Sequence, residues 1–261
     1  MTKFSETLKD SFEVFSANPK FIIPKLLIAI LNSFLLIATA DLTNQFVVAQ
    51  EFDTLTPLLA NVTLIFVGTL IVTLIDLFVG SMYPFMVEQV KNKKSLDLRA
   101  AFSSAWKKIG VTMPTLIGIE LAFILFAFIV SVPLAMLFVE EFDYFVLFSG
   151  VYLVLILIIV FFFYLIYPIV ALEKNSAIAS IRKSIAFSLK NKGDVAKATV
   201  ISFLLSAISF GLAFLIEFFP ASEESGFFWV AFVIVRFLTA YVYSYLFVLN
   251  PVFYLHYVKQ K

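Results

Sequence analysis

Residues Val151–Ser206 read VYLVLILIIVFFFYLIYPIVALEKNSAIASIRKSIAFSLKNKGDVAKATVISFLLS. A bulky apolar run closes at Tyr167-Pro168, and a short hinge carries Glu173 and Lys174. A mixed segment follows, and Asn191-Lys192-Gly193 releases the chain into a second apolar run. This order predicts a membrane helix, a helix lying at the membrane surface and a returning membrane helix. In the mixed segment Ile178, Ile181, Ile185 and Leu189 recur at three- and four-residue spacing, while Ser180, Arg182, Lys183, Ser184 and Lys190 take the remaining faces. That pattern is an amphipathic helix half in water. Its basic side suits anionic headgroups, and the bland alternative is a helix packed under the ends of the bundle.

Composition agrees with this reading over the whole chain. Of its 261 residues 62% are hydrophobic and only 14% are charged, with a mean hydropathy of +1.01, well outside the range of soluble domains. There is no cysteine, which excludes disulfides and thiolate metal sites. The expected fold is all-α and polytopic, a single integral membrane domain over residues 1–261. Amphipathic interfacial helices are expected at about 4–16, 96–108 and 176–190, and six transmembrane helices at about 21–40, 57–87, 109–139, 144–172, 195–219 and 227–258. Ala38-Thr39-Ala40 before Asp41 resembles a signal cleavage site. The segment ahead of it, however, is amphipathic and acidic, with Phe4, Leu8, Phe12 and Phe15 on one face, so the first run is expected to stay as a membrane helix.

The basic residues set the expected orientation. Lys3, Lys9, Lys20 and Lys25 precede the first run; Lys91, Lys93, Lys94, Arg99, Lys107 and Lys108 lie between the second and third. Lys174, Arg182, Lys183, Lys190, Lys192 and Lys197 lie between the fourth and fifth, and Lys259 and Lys261 end the sequence. Of the 19 basic residues only Arg236 falls elsewhere, while the opposite loops carry acidic residues such as Glu51, Asp53, Glu140, Glu141, Asp143 and Glu223. The positive-inside rule then puts both termini in the cytoplasm, and a prokaryotic plasma membrane is the expected location.

An internal repeat is also legible. Tyr83-Pro84, Tyr167-Pro168 and Asn250-Pro251 end alternate runs, and the first two precede amphipathic segments. In the earlier of these Leu98, Phe102, Ala105 and Ile109 match the isoleucine stripe, and Leu8, Ser11, Phe12 and Asn18 match Ile181, Ser184, Ile185 and Asn191. Three units, one of them split between the chain ends, predict a pseudo-threefold ring of helical hairpins. The succession Tyr167-Pro168, Glu173, Ala177, Ser184 and Asn191-Lys192-Gly193 resembles the multi-pass membrane domain fused to some bacterial glycerophosphodiester phosphodiesterases, and similar uncharacterised six-helix prokaryotic membrane families. The resemblance implies a fold and leaves activity open. The phosphodiesterase barrel has no room beside six crossings, and its paired histidines have no counterpart where His256 is the single histidine.

Charges inside the apolar runs are the candidate intramembrane polar site. Asp76 lies roughly 18 Å of helix from Glu88, Glu120 roughly 15 Å from Gly110 and Arg236 roughly 22 Å from Pro251. Each such charge costs roughly 2.5–3.5 kcal/mol on insertion scales unless it meets a partner or water. Two readings stand: a substrate or proton site, or a buried pair of Arg236 with Asp76 or Glu120 that fixes helix register. Asn32 and Glu217 are weaker candidates. Small residues Ser202, Ser206, Ala207 and Gly211 predict that the fifth helix is more deeply packed than the fourth.

No catalytic triad, phosphate loop or metal motif is found, and no cofactor is implied. The expected function is a non-enzymatic membrane module that organises or senses lipid through its interfacial helices, with Lys107, Lys108, Arg182, Lys183 and Lys190 as candidate lipid-headgroup contacts. The alternative is a transporter or channel for a small or amphipathic solute using Asp76, Glu120 and Arg236. Expected partners are the lipid bilayer with its anionic headgroups, and either another membrane protein or a second copy of the chain; nucleic acid is not expected.

Overall fold

The computed structural model describes residues 3–48, 55–137, 142–215 and 226–258. Among these, ten α-helices account for nearly all of the chain: α1 (Lys3–Ser16), α2 (Ile22–Val48), α3 (Leu55–Lys91), α4 (Leu98–Lys107), α5 (Ile109–Leu137), α6 (Phe142–Phe163), α7 (Ile166–Leu172), α8 (Ala177–Lys190), α9 (Lys192–Leu215) and α10 (Gly226–Val258). Six spans are long and apolar enough to cross a membrane: those of α2, α3, α5, α9 and α10, and one formed by α6 and α7 together. The chain is an all-α, multi-pass membrane protein.

The order is a short helix followed by two spans, three times over. The prolines of the repeat lie in α3 (Pro84), α7 (Pro168) and α10 (Pro251), and these three helices touch one another pairwise at the centre. Each end helix packs on the proline-bearing span of the unit before it: α4 on α3, α8 on α6 and α7, and α1, cyclically, on α10. The split unit expected from the sequence is therefore a packing unit closed by the two ends of the chain.

The core lies at the same end as α1, α4 and α8. Phe21, Tyr83, Met86, Val248 and Val252 form one fully buried cluster, and Leu165, Ile169, Val195 and Phe253 another. Towards the other end, Leu64, Phe66, Leu121, Phe128, Phe210 and Val233 point outward. In lipid such side chains gain nothing by turning inward, so helix association rests on close packing and hydrogen bonds. Tyr83 supplies one of these, donating from its hydroxyl to the Phe21 carbonyl at 2.8 Å. Gly80 permits the central contact, because a Cβ there would stand 2.7 Å from a Phe247 ring carbon and 2.9 Å from one of Tyr167.

On α4 and α8 small residues, not the large apolar ones, face the protein, whereas α1 buries Phe4, Val14 and Phe15 beside its small residues. Thr7 and Ser11 of α1, Ala101 and Ala105 of α4, and Ser180, Ser184 and Ser188 of α8 are buried. Phe12, Phe102, Trp106, Ile178 and Leu189 are exposed. This corrects the assignment of Ser180 and Ser184 to the wet side.

Ser184 and Ser188 of α8 are explained by the fourth span, which is not the single helix expected over 144–172. It breaks between Phe163 and Ile166, and a broken helix leaves its last carbonyls without partners. Ser188 Oγ donates to the Phe161 carbonyl at 2.8 Å and Ser184 Oγ to that of Phe162 at 2.9 Å. The Tyr164 carbonyl, which Pro168 has no N–H to serve, accepts the side-chain amide of Asn250. In α4, alanines stand on the buried face and the adjoining α3 runs unbroken through Pro84.

The fifth span also differs from expectation. Ser202 is buried, but Ala207 and Gly211 are exposed, and a Cβ at Gly211 would meet nothing within 4 Å. Meanwhile Tyr164, Leu165 and Ile166 of the fourth span are buried. The small-residue spacing does not mark a tight helix crossing here.

Candidate functional site

The three intramembrane charges do not come together. Asp76 of α3 pairs with Lys25 of α2, whose ammonium lies 2.6 Å from Asp76 Oδ1. That ammonium also sits over the Phe247 ring of α10, 3.8 Å from its centroid. Lys25 had been counted with the basic residues flanking the first run, yet its side chain is only 5% exposed. Pro24 and Lys25 lie in the first turns of α2, where the close α2–α3 hairpin carries the side chain inward. Arg236 forms no ion pair or hydrogen bond with Asp76 or Glu120. Its guanidinium stacks over Phe232 at 5.0 Å, and its Nε is buried without a partner. The expected Arg236–Asp76 or Arg236–Glu120 pair is replaced by Lys25–Asp76. Of the weaker candidates, Asn32 is exposed, and Glu217 lies outside the described residues.

Glu120 has a different setting. Itself exposed, it lines an open-sided cavity of about 310 Å³ between α3, α5, α6, α7, α9 and α10. Neither Asp76 nor Arg236 lines it, although the ring of Phe247 that receives Lys25 does. The hydroxyl-bearing side chains of Tyr164, Tyr167, Ser202, Ser206 and Tyr243 and the amide of Asn250 also stand in its wall. The hydroxyls of Tyr164 and Ser202 are buried without a hydrogen-bond partner among the described residues. Asn250 donates its amide to the Tyr164 carbonyl, and its Oδ1 is left buried and unpaired. Sequence reasoning found Glu120 by its depth and missed Tyr164, which lies in the break of the fourth span, and Asn250, whose amide takes up the Tyr164 carbonyl there.

Outside the spans, Glu173 ties several elements together. Both of its carboxylate oxygens lie 2.7 Å from Lys183 Nζ. Tyr254 of α10 donates to Oε1 at 2.7 Å and Asn175 to Oε2 at 2.5 Å. Lys108 donates to the Glu173 backbone carbonyl at 2.7 Å. Burial alone would raise the Glu173 pKa, but the hydrogen bonds from Lys183 and Tyr254, the Lys183 charge and the bond from Asn175 outweigh it and hold the carboxyl below its ordinary range.

The five candidate headgroup contacts therefore divide. Lys108 and Lys183 are engaged at Glu173, whereas Lys107, Arg182 and Lys190 are exposed and form no ion pair among the described residues. No protein-family model, curated protein or solved structure matches the chain. His256, the single histidine, lies beside the ring of Tyr257 and lines a smaller cavity of about 180 Å³ with Asp10, Glu88 and Lys91. There Lys91 is ion-paired to Asp10.

Proposed function

We propose that the protein is a non-enzymatic membrane module that organises or senses lipid through α1, α4 and α8, lying as interfacial helices at the cytoplasmic surface of a prokaryotic plasma membrane. The observation that carries this reading is the outward set of Phe12, Phe102, Trp106, Ile178 and Leu189 at one end of the bundle. On α4 and α8 the protein-facing side is left to alanines and serines, while α1 turns Phe4 and Phe15 inward beside Thr7 and Ser11. Large apolar groups left about half exposed or more, beside exposed Lys107, Arg182 and Lys190, have the form of helices seated at the headgroup boundary. The distribution of lysine and arginine supports a cytoplasmic location for this end and for both termini. The alternative use of Asp76, Glu120 and Arg236 as one solute path has less support, since only Glu120 lines the 310 Å³ cavity.

Trp106 provides the test, because the only other tryptophan is Trp229. In the Trp229→Phe variant reconstituted in vesicles, bromines placed high on the acyl chains should quench Trp106 strongly and aqueous iodide should not. Replacing Lys107, Arg182 and Lys190 together by Gln should reduce the enrichment of phosphatidylglycerol over phosphatidylcholine in the retained lipid. Iodide quenching of Trp106 with no response to brominated lipid would end this proposal.

A further inference from the structure

We infer that the 310 Å³ cavity is a binding site for an amphipathic amine, with its ammonium at Glu120 and its apolar body among α5, α6 and α10. The inference is separate from the reading of the end helices, since no residue of α1, α4 or α8 lines the cavity. Its volume is of the size that takes small molecules and is far beyond the space of a few waters. Leu116, Ile119, Phe163 and Leu246 make most of the wall apolar.

The polar groups in that wall decide the class of ligand. Glu120 is the only ionisable acid or base among the lining residues apart from tyrosine hydroxyls, and it has no ion-pair partner among the described residues. A carboxylate beside an apolar wall calls for a donor with positive charge. A protonated amine supplies both the N–H groups and the counter-charge that no neighbouring side chain among the described residues gives Glu120. An alcohol offers a single neutral donor, and a fatty acid would bring a second negative charge to Glu120.

The test uses the full chain in phosphatidylcholine nanodiscs with two photoreactive probes. One is a medium-chain alkylamine bearing a terminal diazirine, and the other is the alcohol of the same chain. The amine should saturate labelling at a concentration about tenfold or more below the alcohol, as expected for a charge-assisted bond. Its adducts should map to cavity-lining stretches of α5, α6 and α10. Glu120→Gln should bring the amine to the level of the alcohol, Glu120→Asp should keep a preference, and Ser202→Phe should block both probes. Equal saturation of the two probes in the unmodified protein overturns the inference, and that comparison stands even if a variant fails to fold. Adducts confined to the outward face of α3 around Leu64 and Phe66, or an undiminished preference in Glu120→Gln, overturn it as well.

Discussion

Removing the charge of Asp76 should destabilise the protein more than removing that of Lys25. At 2.6 Å and an effective dielectric near 20, the Coulomb attraction between the two is about 6 kcal/mol. Desolvation of both ions reduces this to a net coupling of about 2–4 kcal/mol. The two single losses differ because the enclosures differ, with the Lys25 side chain 5% exposed and that of Asp76 39%. Asp76→Asn leaves an ammonium shut in with no carboxylate and should cost about 3–5 kcal/mol. Lys25→Met leaves a carboxylate less tightly shut in by protein, which can neutralise itself by taking up a proton, and should cost about 1–2 kcal/mol. The double variant should lose less than Asp76→Asn alone. Unfolding by SDS titration in mixed micelles, followed by circular dichroism, measures all three. Arg236→Met serves as the control and should add independently to Asp76→Asn, because the two are not in contact. Additive losses for Lys25 and Asp76, or a larger loss for Lys25→Met, would refute the argument.

Gly80→Ala should lower stability by about 1–3 kcal/mol, because its Cβ would meet the Phe247 and Tyr167 rings. Gly211→Ala, open on all sides, should leave the melting temperature unchanged or slightly raised, and equal losses at the two sites would count against the central contact. The carboxyl of Glu173 is held below its ordinary range, so its contribution is complete above about pH 4.3 and is lost as pH falls through the lower, folded-state value. The stability gap between wild type and Glu173→Gln should accordingly be constant from pH 7 to 5 and close in stronger acid; a gap that persists unchanged to pH 2 would contradict the network. In the cysteine-free background, single cysteines replacing Lys94 and Glu141 should react with an impermeant maleimide from opposite sides of the membrane, and labelling from one side alone would refute the six-crossing topology.

Much of the architecture was legible because its signals are local. Apolar length gave the spans, the spacing of Ile178, Ile181 and Ile185 gave a helix between the fourth and fifth, and the three prolines gave the repeat. The faces were harder to read. In water a large apolar side chain turns inward, so Ser180 and Ser184 looked like the wet side; next to lipid the apolar groups have no such drive, and Ser184, with Ser188, went to the carbonyls that needed them. Lys25 was obscured in the same way. A lysine at the mouth of an apolar run ordinarily reaches outward to the interface, and only the position of Asp76 across the hairpin draws this one in. Glu120 was found by its depth alone, while the unpaired oxygen of Asn250 depends on a break in another helix and has no signature in its own stretch of sequence.

The docking of α1 on α10 also bears on the order in which the chain is made. Ser11 meets the Tyr245 hydroxyl at 3.2 Å, Phe15 packs edge-on against Tyr241 and Tyr245, and Phe4 against Phe253. At roughly 5–20 residues per second the ribosome needs on the order of 10–50 s to travel from the first of these partners to the second. For the part of that interval after Lys91 is added, α1 and the α2–α3 hairpin are already synthesised, with the receiving surface of α1 still absent. The nascent N-terminal third must therefore wait at the membrane with Thr7 and Ser11 uncovered, and the ring becomes complete only when the last helix is inserted.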